Sequence, residues 1–274
     1  MRTRVFGLIV SGVGAMAFTV GSAGIASAAT GPVVYSHEQA GYSATGAHFQ
    51  YVQSSVTLPD ASQFATEVPG YGLSVQLWTK YRVVVLGVSN STTTAGSAYN
   101  AAVAVYNRTT HALICSTASD TQKCPGVGSR WTDGSVNFAP GDDVTLAIFY
   151  DRSTGIDHFY VDDNTTGVEL FYGGYAPGTG KVYGQARIGA EFSAASPWGS
   201  FSYTSPSAET HLATFRDTFL VTYSGQVSTL TSWWTHHRVK ATTDGTSTGN
   251  VEVQPHALFN SGANFGVFFE PLPA

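Results

Sequence analysis

A strand-like segment near residue 190 carries the side chains best suited to chemistry. In Gln185–Phe192 the even positions are apolar, and the odd positions hold Gln185, Arg187, Gly189 and Glu191. Because side chains alternate between the two faces of a strand, Gln185, Arg187 and Glu191 are predicted to share one surface, with Gly189 leaving space between them. That surface suits a binding groove. A solvent-facing strand with a weak Arg–Glu pair is the alternative, and periodicity alone favours it.

Other polar clusters point less clearly to a site. His236 and His237 are adjacent, so on one strand they face opposite sides and cannot bind the same metal from that strand. Asp142-Asp143 and Asp162-Asp163-Asn164 offer oxygens to Ca²⁺, but turn capping explains them equally well. The sequence has no HExxH helix, phosphate-binding loop or paired-cysteine zinc motif. We therefore predict no metal and no cofactor.

The elements that must position these residues are strands. Segments rich in aromatic and β-branched residues recur between short polar turns, and helical periodicity is scarce. Predicted strands are Phe49–Thr57, Tyr81–Val88, Ala101–Tyr106, Val144–Tyr150, Ile156–Val161, Val168–Tyr172, Val182–Phe192, Thr214–Tyr223, His236–Ala241 and Asn264–Glu270. This pattern predicts an all-β fold of two curved antiparallel sheets. The Ser/Ala/Pro-rich loop 193–207 is the weakest region, and a boundary there would leave few C-terminal strands. One domain is therefore expected over residues 29–274.

The N-terminus has the features of an export signal. Arg2 and Arg4 precede an uncharged, mostly apolar run, and Ala26-Ser27-Ala28 offers a small-x-small cleavage site. We expect residues 1–28 to be removed and the mature chain to be secreted without a membrane anchor, since the apolar run is too short to span a bilayer. Removing two of the 13 basic residues changes the formal net charge from −5 to −7. A nucleic acid is therefore not an expected partner.

The two cysteines, Cys115 and Cys124, lie in the short segment CSTASDTQKC. Export makes a disulfide the expected state of this pair, as a loop staple. A catalytic thiol would need a positive neighbourhood, and Lys123 alone is available to supply it.

Several stretches, in conserved order along the mature chain, resemble the glutamic peptidase (eqolisin) family of secreted acid proteases. Ala40-Gly41-Tyr42 resembles the opening W-[SA]-G-Y, and Pro140-Gly141-Asp142 resembles a P-G-D turn before a strand. Tyr99–Asn107 stands at the place of the family's W-Y-E-x-Y-P strand. Asp163–Gly167 resembles D-x-T-x-G, Ala190-Glu191-Phe192 resembles A-E-W, and Leu212–Phe219 resembles L-A-N-F-G-x-V-x-F. The resemblance implies a lectin-like, concanavalin-like sandwich. It also implies chemistry by a Glu that acts as general base and acid and a Gln that stabilises the oxyanion.

The resemblance places Glu191 on the catalytic Glu but does not preserve the Gln. Gly87 matches the glycine of the family's Q-T-G, which puts Val85 at the glutamine position. Ser74 and Trp78 stand where the family has its active-site Trp and Asp. Gln76 and Gln185 are the candidate substitute amides. These departures all fall on the family's catalytic cleft and imply a degenerate member.

Three functions remain open at this point. The leading hypothesis is a secreted, non-catalytic or weakly catalytic module that binds an extracellular peptide or glycan through Trp78, Tyr106, Arg187 and Phe192. The second is an active acid endopeptidase that uses Glu191 with a different amide donor. The third is a glycan-active enzyme on a lectin-like fold, which would need a second carboxylate beside Glu191. The side chains within hydrogen-bond reach of Glu191 decide among them. The oligomeric state is not predicted.

Overall fold

The protein is described by a computed structural model covering residues 30–64, 68, 70–91, 98–117, 124, 137–172, 174–192, 203–231 and 234–273. The expected export segment 1–28, loop residues 193–202 and Trp233 lie outside these ranges. Within them, no helix is both long and apolar enough to cross a bilayer.

Strands dominate the described residues, as the sequence predicts, together with one 3-10 turn at Ala61–Phe64. In chain order they are β1 (Val34–Ser36), β2 (Gln39–Thr57), β3 (Gly70–Trp78), β4 (Arg82–Ser91), β5 (Tyr99–Asn107), β6 (Leu113–Ser116), β7 (Asn137–Phe138), β8 (Asp143–Asp151), β9 (Ile156–Asp163), β10 (Val168–Tyr172), β11 (Tyr183–Glu191), β12 (Thr210–Thr222), β13 (Val227–Ser228), β14 (Thr235–Thr242), β15 (Val251–Pro255) and β16 (Phe265–Phe269).

The 19-residue strand β2 organises the sheet. Its first half pairs with β11 and β14, and its second half pairs with β12 and β8. The change of partners occurs around Gly46, whose φ of 86° is readily adopted only by glycine. Near this point the register of the β2–β11 pairing shifts between Tyr183 and Gln185, which indicates a β-bulge. One strand therefore pairs with different partners along its two halves.

The sixteen strands form one connected sheet rather than two separate ones. The path β14-β15-β16-β12-β2 closes on itself because β14 also pairs with β2. From β2 the sheet continues through β11, β3, β4, β5 and β6. The all-β prediction is thus confirmed. Two distinct sheets are not observed among the described strands, because β2 and the β14–β2 pairing connect them into one.

The core is built from one face of each strand. On β3 the alternate residues Tyr71, Leu73, Val75 and Leu77 are all buried. Aromatic side chains contribute to this core: Phe215 on β12 stacks on its cross-strand partner Phe265 on β16, with ring centroids 5.0 Å apart. Each such buried side chain contributes about 1.5–3 kcal/mol relative to its exposure. With the apolar face committed to the core, the opposite face of β3 and β11 is left to carry polar groups.

The predicted Cys115–Cys124 disulfide is present, with the two Cα atoms 4.7 Å apart. It links the end of β6 to residue 124. Because the closed loop is short, replacing both cysteines by serine is expected to lower the free energy of unfolding by about 2–3 kcal/mol. Urea denaturation of the oxidised wild type and the double variant measures this difference. Equal stabilities would contradict the prediction.

Candidate functional site

The register of three strands assembles a polar surface around Glu191. Strand β11 pairs with β3 so that Arg187 lies opposite Gln76 and Gly189 opposite Ser74. Strand β3 pairs with β4 so that Gln76 lies opposite Val85. Because partners in register share a face, the alternating polar positions of β3 and β11 form one surface. We call it the Glu191 face, defined by Gly72, Ser74, Gln76, Trp78, Val83, Val85, Gly87, Gln185, Arg187, Gly189 and Glu191.

Two side chains donate hydrogen bonds to Glu191. The Ser74 hydroxyl donates to Oε1 at 2.7 Å, and the amide nitrogen of Gln76 donates to the same oxygen. The indole N–H of Trp78 donates to Gln76 Oε1 at 2.6 Å. Because an indole N–H is only a donor, it must face the amide oxygen, so the amide NH₂ is directed at the carboxylate. Trp78 thereby fixes the orientation of Gln76.

Burial and hydrogen-bond donors have opposite effects on the pKa of the Glu191 carboxyl. Burial raises its pKa above the ordinary value, and the hydrogen bonds from Ser74 and Gln76, followed by the charge of Arg187, oppose that rise. The burial effect is the largest. Glu191 therefore holds its proton to a higher pH than an exposed glutamate does. A raised pKa of this kind suits a group that donates and accepts protons near neutral pH.

Two guanidinium groups lie against the Trp78 ring. The Arg187 guanidinium carbon is 4.2 Å from the ring centroid, and that of Arg108 is 5.1 Å from it. Arg187 also donates to Gln39 Oε1 at 2.5 Å. Burial, reinforced by the charge of Arg108, lowers the pKa of Arg187 to about 10. The face thus carries fixed positive charge beside Glu191.

A second carboxyl, Glu38, lies close enough to Glu191 and Arg187 to interact with their charges. It was not predicted as a site residue. Its side chain is 1% exposed, and among the described residues neither carboxyl oxygen has a hydrogen-bond partner. Burial first, and the charge of Glu191 second, raise its pKa to about 9, against the opposing effect of Arg187. Glu38 precedes β2 in a bend rather than in an alternating strand. No periodic signal in the sequence could therefore have marked it.

The structure brings some predicted residues to Glu191 and not others. Gln76 is in contact, whereas the Gln185 amide donates to Ser43 Oγ at 2.9 Å. Val85 packs with Trp78, Val83 and Tyr106 in a small cluster on the Glu191 face.

Two other predicted residues have different surroundings from those expected. Phe192 is buried in the core, with its ring 5.8 Å from that of Phe269, so it does not lie on the Glu191 face. Trp78, at 3% exposure, orients its neighbours rather than presenting an open ring to solvent.

Gly189 has a different role from the expected one. A Cβ at this position would lie 2.2 Å from the carbonyl oxygen of Ala40 and 2.8 Å from the Cα of Gly41. The glycine therefore permits the close approach of β2 and β11 rather than opening space on the Glu191 face. The close approach brings Gln39, in register with Glu191, to the edge of the site.

The Glu191 face has little empty volume in the described part of the chain. A cavity of about 10 Å³, roughly the space of one water, is bordered by Gln39, Gln76 and Arg187. A larger cavity of about 500 Å³ lies beyond the opposite end of β11 and is lined by His48, Tyr150, Arg152, Ser153, Gly180, Lys181, Val182 and Tyr223. The larger cavity is therefore separate from the Glu191 chemistry.

The fold is similar to that of solved glutamic peptidases. A crystal structure of scytalido-glutamic peptidase with a transition-state analogue inhibitor matches 86% of this chain and 99% of its own, at 13% identity and a TM-score of 0.53. SCP-B, a member of the eqolisin family in complex with the tripeptide Ala-Ile-His, matches the same shares at 13% identity and a TM-score of 0.49. Aspergilloglutamic peptidase from Aspergillus niger matches 73% of this chain and 98% of its own, at 14% identity and a TM-score of 0.41.

No protein-family model matches the sequence, and comparison with curated proteins finds no match. At such low identities the structural likeness to scytalido-glutamic peptidase establishes the eqolisin-like fold of the chain and nothing further.

Proposed function

We propose that this protein is a secreted peptidase active in mild acid, in which Glu191 is the catalytic carboxyl and Gln76 replaces the family's glutamine. The observation that carries the proposal is the contact of the Gln76 amide with Glu191, with the amide oriented by the Trp78 indole. The eqolisin-like fold supports it. Scytalido-glutamic peptidase, the neighbour with a TM-score of 0.53, was solved with a transition-state analogue inhibitor. The substrate class is an extracellular peptide.

The proposed chemistry uses groups already in place. Ionised Glu191 takes a proton from a water, and the resulting hydroxide attacks the peptide carbonyl carbon. Gln76 N–H and the Ser74 hydroxyl donate to the carbonyl oxygen as it becomes negative. Protonated Glu191 then gives its proton to the departing amine as the C–N bond breaks. The chain thus supplies a base, an acid and two oxyanion donors within one cluster.

The strand register explains how an amide on β3, that of Gln76, can replace one expected on β4 at Val85. Val85, at the position that the family resemblance assigns to the glutamine, lies directly opposite Gln76 in the β3–β4 register. Cross-strand partners have Cβ atoms about 4.5–5.5 Å apart, well within the reach of a glutamine side chain. Since β3, unlike β4, is the direct neighbour of β11, an amide from β3 reaches Glu191 without crossing another strand.

Of the other two hypotheses, the structure offers some support for a binding module and raises a difficulty for a glycan-active enzyme. A non-catalytic binding module is favoured by the apolar Val85 beside the site and the small empty volume next to Gln76. A glycan hydrolase would need a second accessible carboxyl. The charge of Glu191 helps to raise the pKa of Glu38, but both Glu38 carboxyl oxygens are buried without a hydrogen-bond partner among the described residues, so Glu38 does not supply that carboxyl.

Digestion of a denatured protein substrate across pH 3–8 tests the proposal. Because burial raises the pKa of Glu191 above its ordinary value of 4.5, its basic form accumulates only at higher pH. We therefore expect kcat/KM to rise with pH through an acid limb whose midpoint lies above 4.5. Mass spectrometry of the products identifies the cleaved bonds. Absence of cleavage over the whole range would sink the peptidase proposal and leave the binding module in its place.

A further inference from the structure

A cluster of two carboxylates and one imidazole lies where three strands end or begin, on elements other than β3 and β11. Glu209 directly precedes β12, His256 directly follows β15, and Glu270 directly follows β16. The antiparallel pairing of β12 with β16 places Glu209 beside Glu270. The end of β15 lies instead against the first half of β16, and the His256 ring reaches the two carboxylates across Phe268. One ligand atom from each side chain can be chosen so that all three lie within 4.8 Å of one another. This arrangement combines oxygen and nitrogen ligands in one place.

The spacing suits a small tetrahedral cation. His256 Nε2 and Glu209 Oε2 are 3.1 Å apart. For metal–ligand bonds of about 2.0–2.1 Å, two ligands of a tetrahedral zinc ion are separated by about 3.3 Å. The pair therefore already approximates one edge of a zinc coordination polyhedron. The third ligand atom, from Glu270, lies within 4.8 Å of the other two and would have to move closer when the ion binds.

Neighbouring groups hold the ligands in position. The His256 ring stacks on Phe268 with centroids 3.7 Å apart and planes 17° from parallel. The Gln254 amide donates to Glu270 Oε1 at 2.8 Å and leaves the second oxygen free to point elsewhere. Outer contacts of this kind orient ligands in known metal sites.

The charge of the cluster also calls for a cation. In the described ranges, Glu209 and Glu270 form no ion pair with a lysine or arginine, and Glu209 is paired with His256 alone. Two carboxylates close together repel each other. A divalent ion bound between them would cancel both charges. Imidazole among the ligands favours zinc over calcium or magnesium.

We propose that Glu209, His256 and Glu270 bind one Zn²⁺ ion, with a water at the fourth position. The ion would tie the start of β12 to the ends of β15 and β16 and so stabilise the closed ring of strands. This proposal is independent of the proposed peptidase function, because none of the three residues contacts Glu191, Gln76 or Ser74 in the described structure.

Calorimetric titration of the full secreted chain with ZnCl₂ at pH 7, after removal of metals by a chelator, tests the proposal. We expect one zinc per chain and at least about a 100-fold weaker affinity in His256→Gln and in Glu209→Gln. His48→Gln, which changes an exposed histidine in the separate cavity, is the matched control and is expected to bind as the wild type does.

A second readout guards against misfolding of the His256 variant. Glu209 is 44% exposed, so Glu209→Gln is expected to fold, and Co²⁺ added in place of zinc should give intense visible bands in the wild type that this variant loses. Failure of the wild type to bind zinc, or equal affinity in wild type and both ligand variants, would overturn the proposal.

Discussion

Replacing Gln76 with leucine is expected to lower kcat for peptide cleavage by about 10²–10³, the usual effect of losing one oxyanion donor. Glu191→Gln is expected to reduce it at least as far, since it removes the general base. In the proposed mechanism both residues act on the reacting atoms, so KM should change less than kcat. Steady-state kinetics on a peptide identified from the wild-type digest measures these effects at the pH of maximal activity.

Gln185→Leu is the matched control for this prediction. It removes an amide from the same face, but one that is bonded to Ser43 and not to Glu191, and its kcat should stay within a few-fold of wild type. Adding Val85→Gln to Gln76→Leu is expected to recover part of the lost rate from the adjacent strand. Wild-type kcat in Gln76→Leu would refute the assignment of Gln76. If neither the wild type nor any variant cleaved the peptide, the proposed peptidase activity would be refuted.

The free energy of unfolding is expected to fall as the pH rises from 5 to 8. Burial raises the pKa of Glu38 to about 9, that of Asp157 to about 8 and that of Glu252 to about 7, and it raises the pKa of Glu191 as well. The folded protein therefore keeps these protons when the unfolded chain has released them. Three histidines with a lowered pKa oppose this fall in stability, though only below about pH 6.5: His158, His211 and His236. Each such group lowers stability by up to about 1.4 kcal/mol per pH unit between its unfolded and folded pKa.

Urea denaturation at pH 5 and pH 8 measures this dependence, and we expect a decrease of at least about 2 kcal/mol in the wild type. Glu38→Gln removes one contributing proton and should flatten the dependence, with higher stability than wild type at pH 8. Asp217→Asn is the control, because Asp217 is exposed and asparagine tolerates its positive φ of 49°. Stability that rises between pH 5 and 8 would contradict the prediction.

The sequence predicted the strands whose side chains alternate clearly and that end at recognisable turns. The β11 pattern placed Arg187 and Glu191 on one face, as the structure has them. Strand β3 was missed, although Tyr71, Leu73, Val75 and Leu77 alternate with Gly72, Ser74, Gln76 and Trp78. Its two glycines and its polar face make it resemble a loop. A count of period-two matches would have found it, and Ser74 with it.

The rest of the site depends on contacts between distant parts of the chain. Nothing local indicates that the bend holding Glu38 lies beside Glu191, or that Trp78 orients Gln76 through its indole N–H. Phe192 was assigned to binding because aromatic residues suit grooves, but its even position on the alternating segment already favoured the core. The sequence named Gln76 and Gln185 as candidate amides, and only the structure distinguished them, since Gln76 contacts Glu191 and Gln185 contacts Ser43.

The division of β2 between two sets of partner strands has a consequence for the folding pathway. Its first half is closed into the ring by β14, and the Thr45 hydroxyl is joined to the His237 ring across 192 positions of the chain. Contacts of such long range must overcome the entropy of closing a very large loop, so they form late and make folding slow. Until β14 arrives, the β2 edge opposite β11 stays unpaired and open to association with other chains. The nascent protein is thus most prone to aggregate just before its final strands become available.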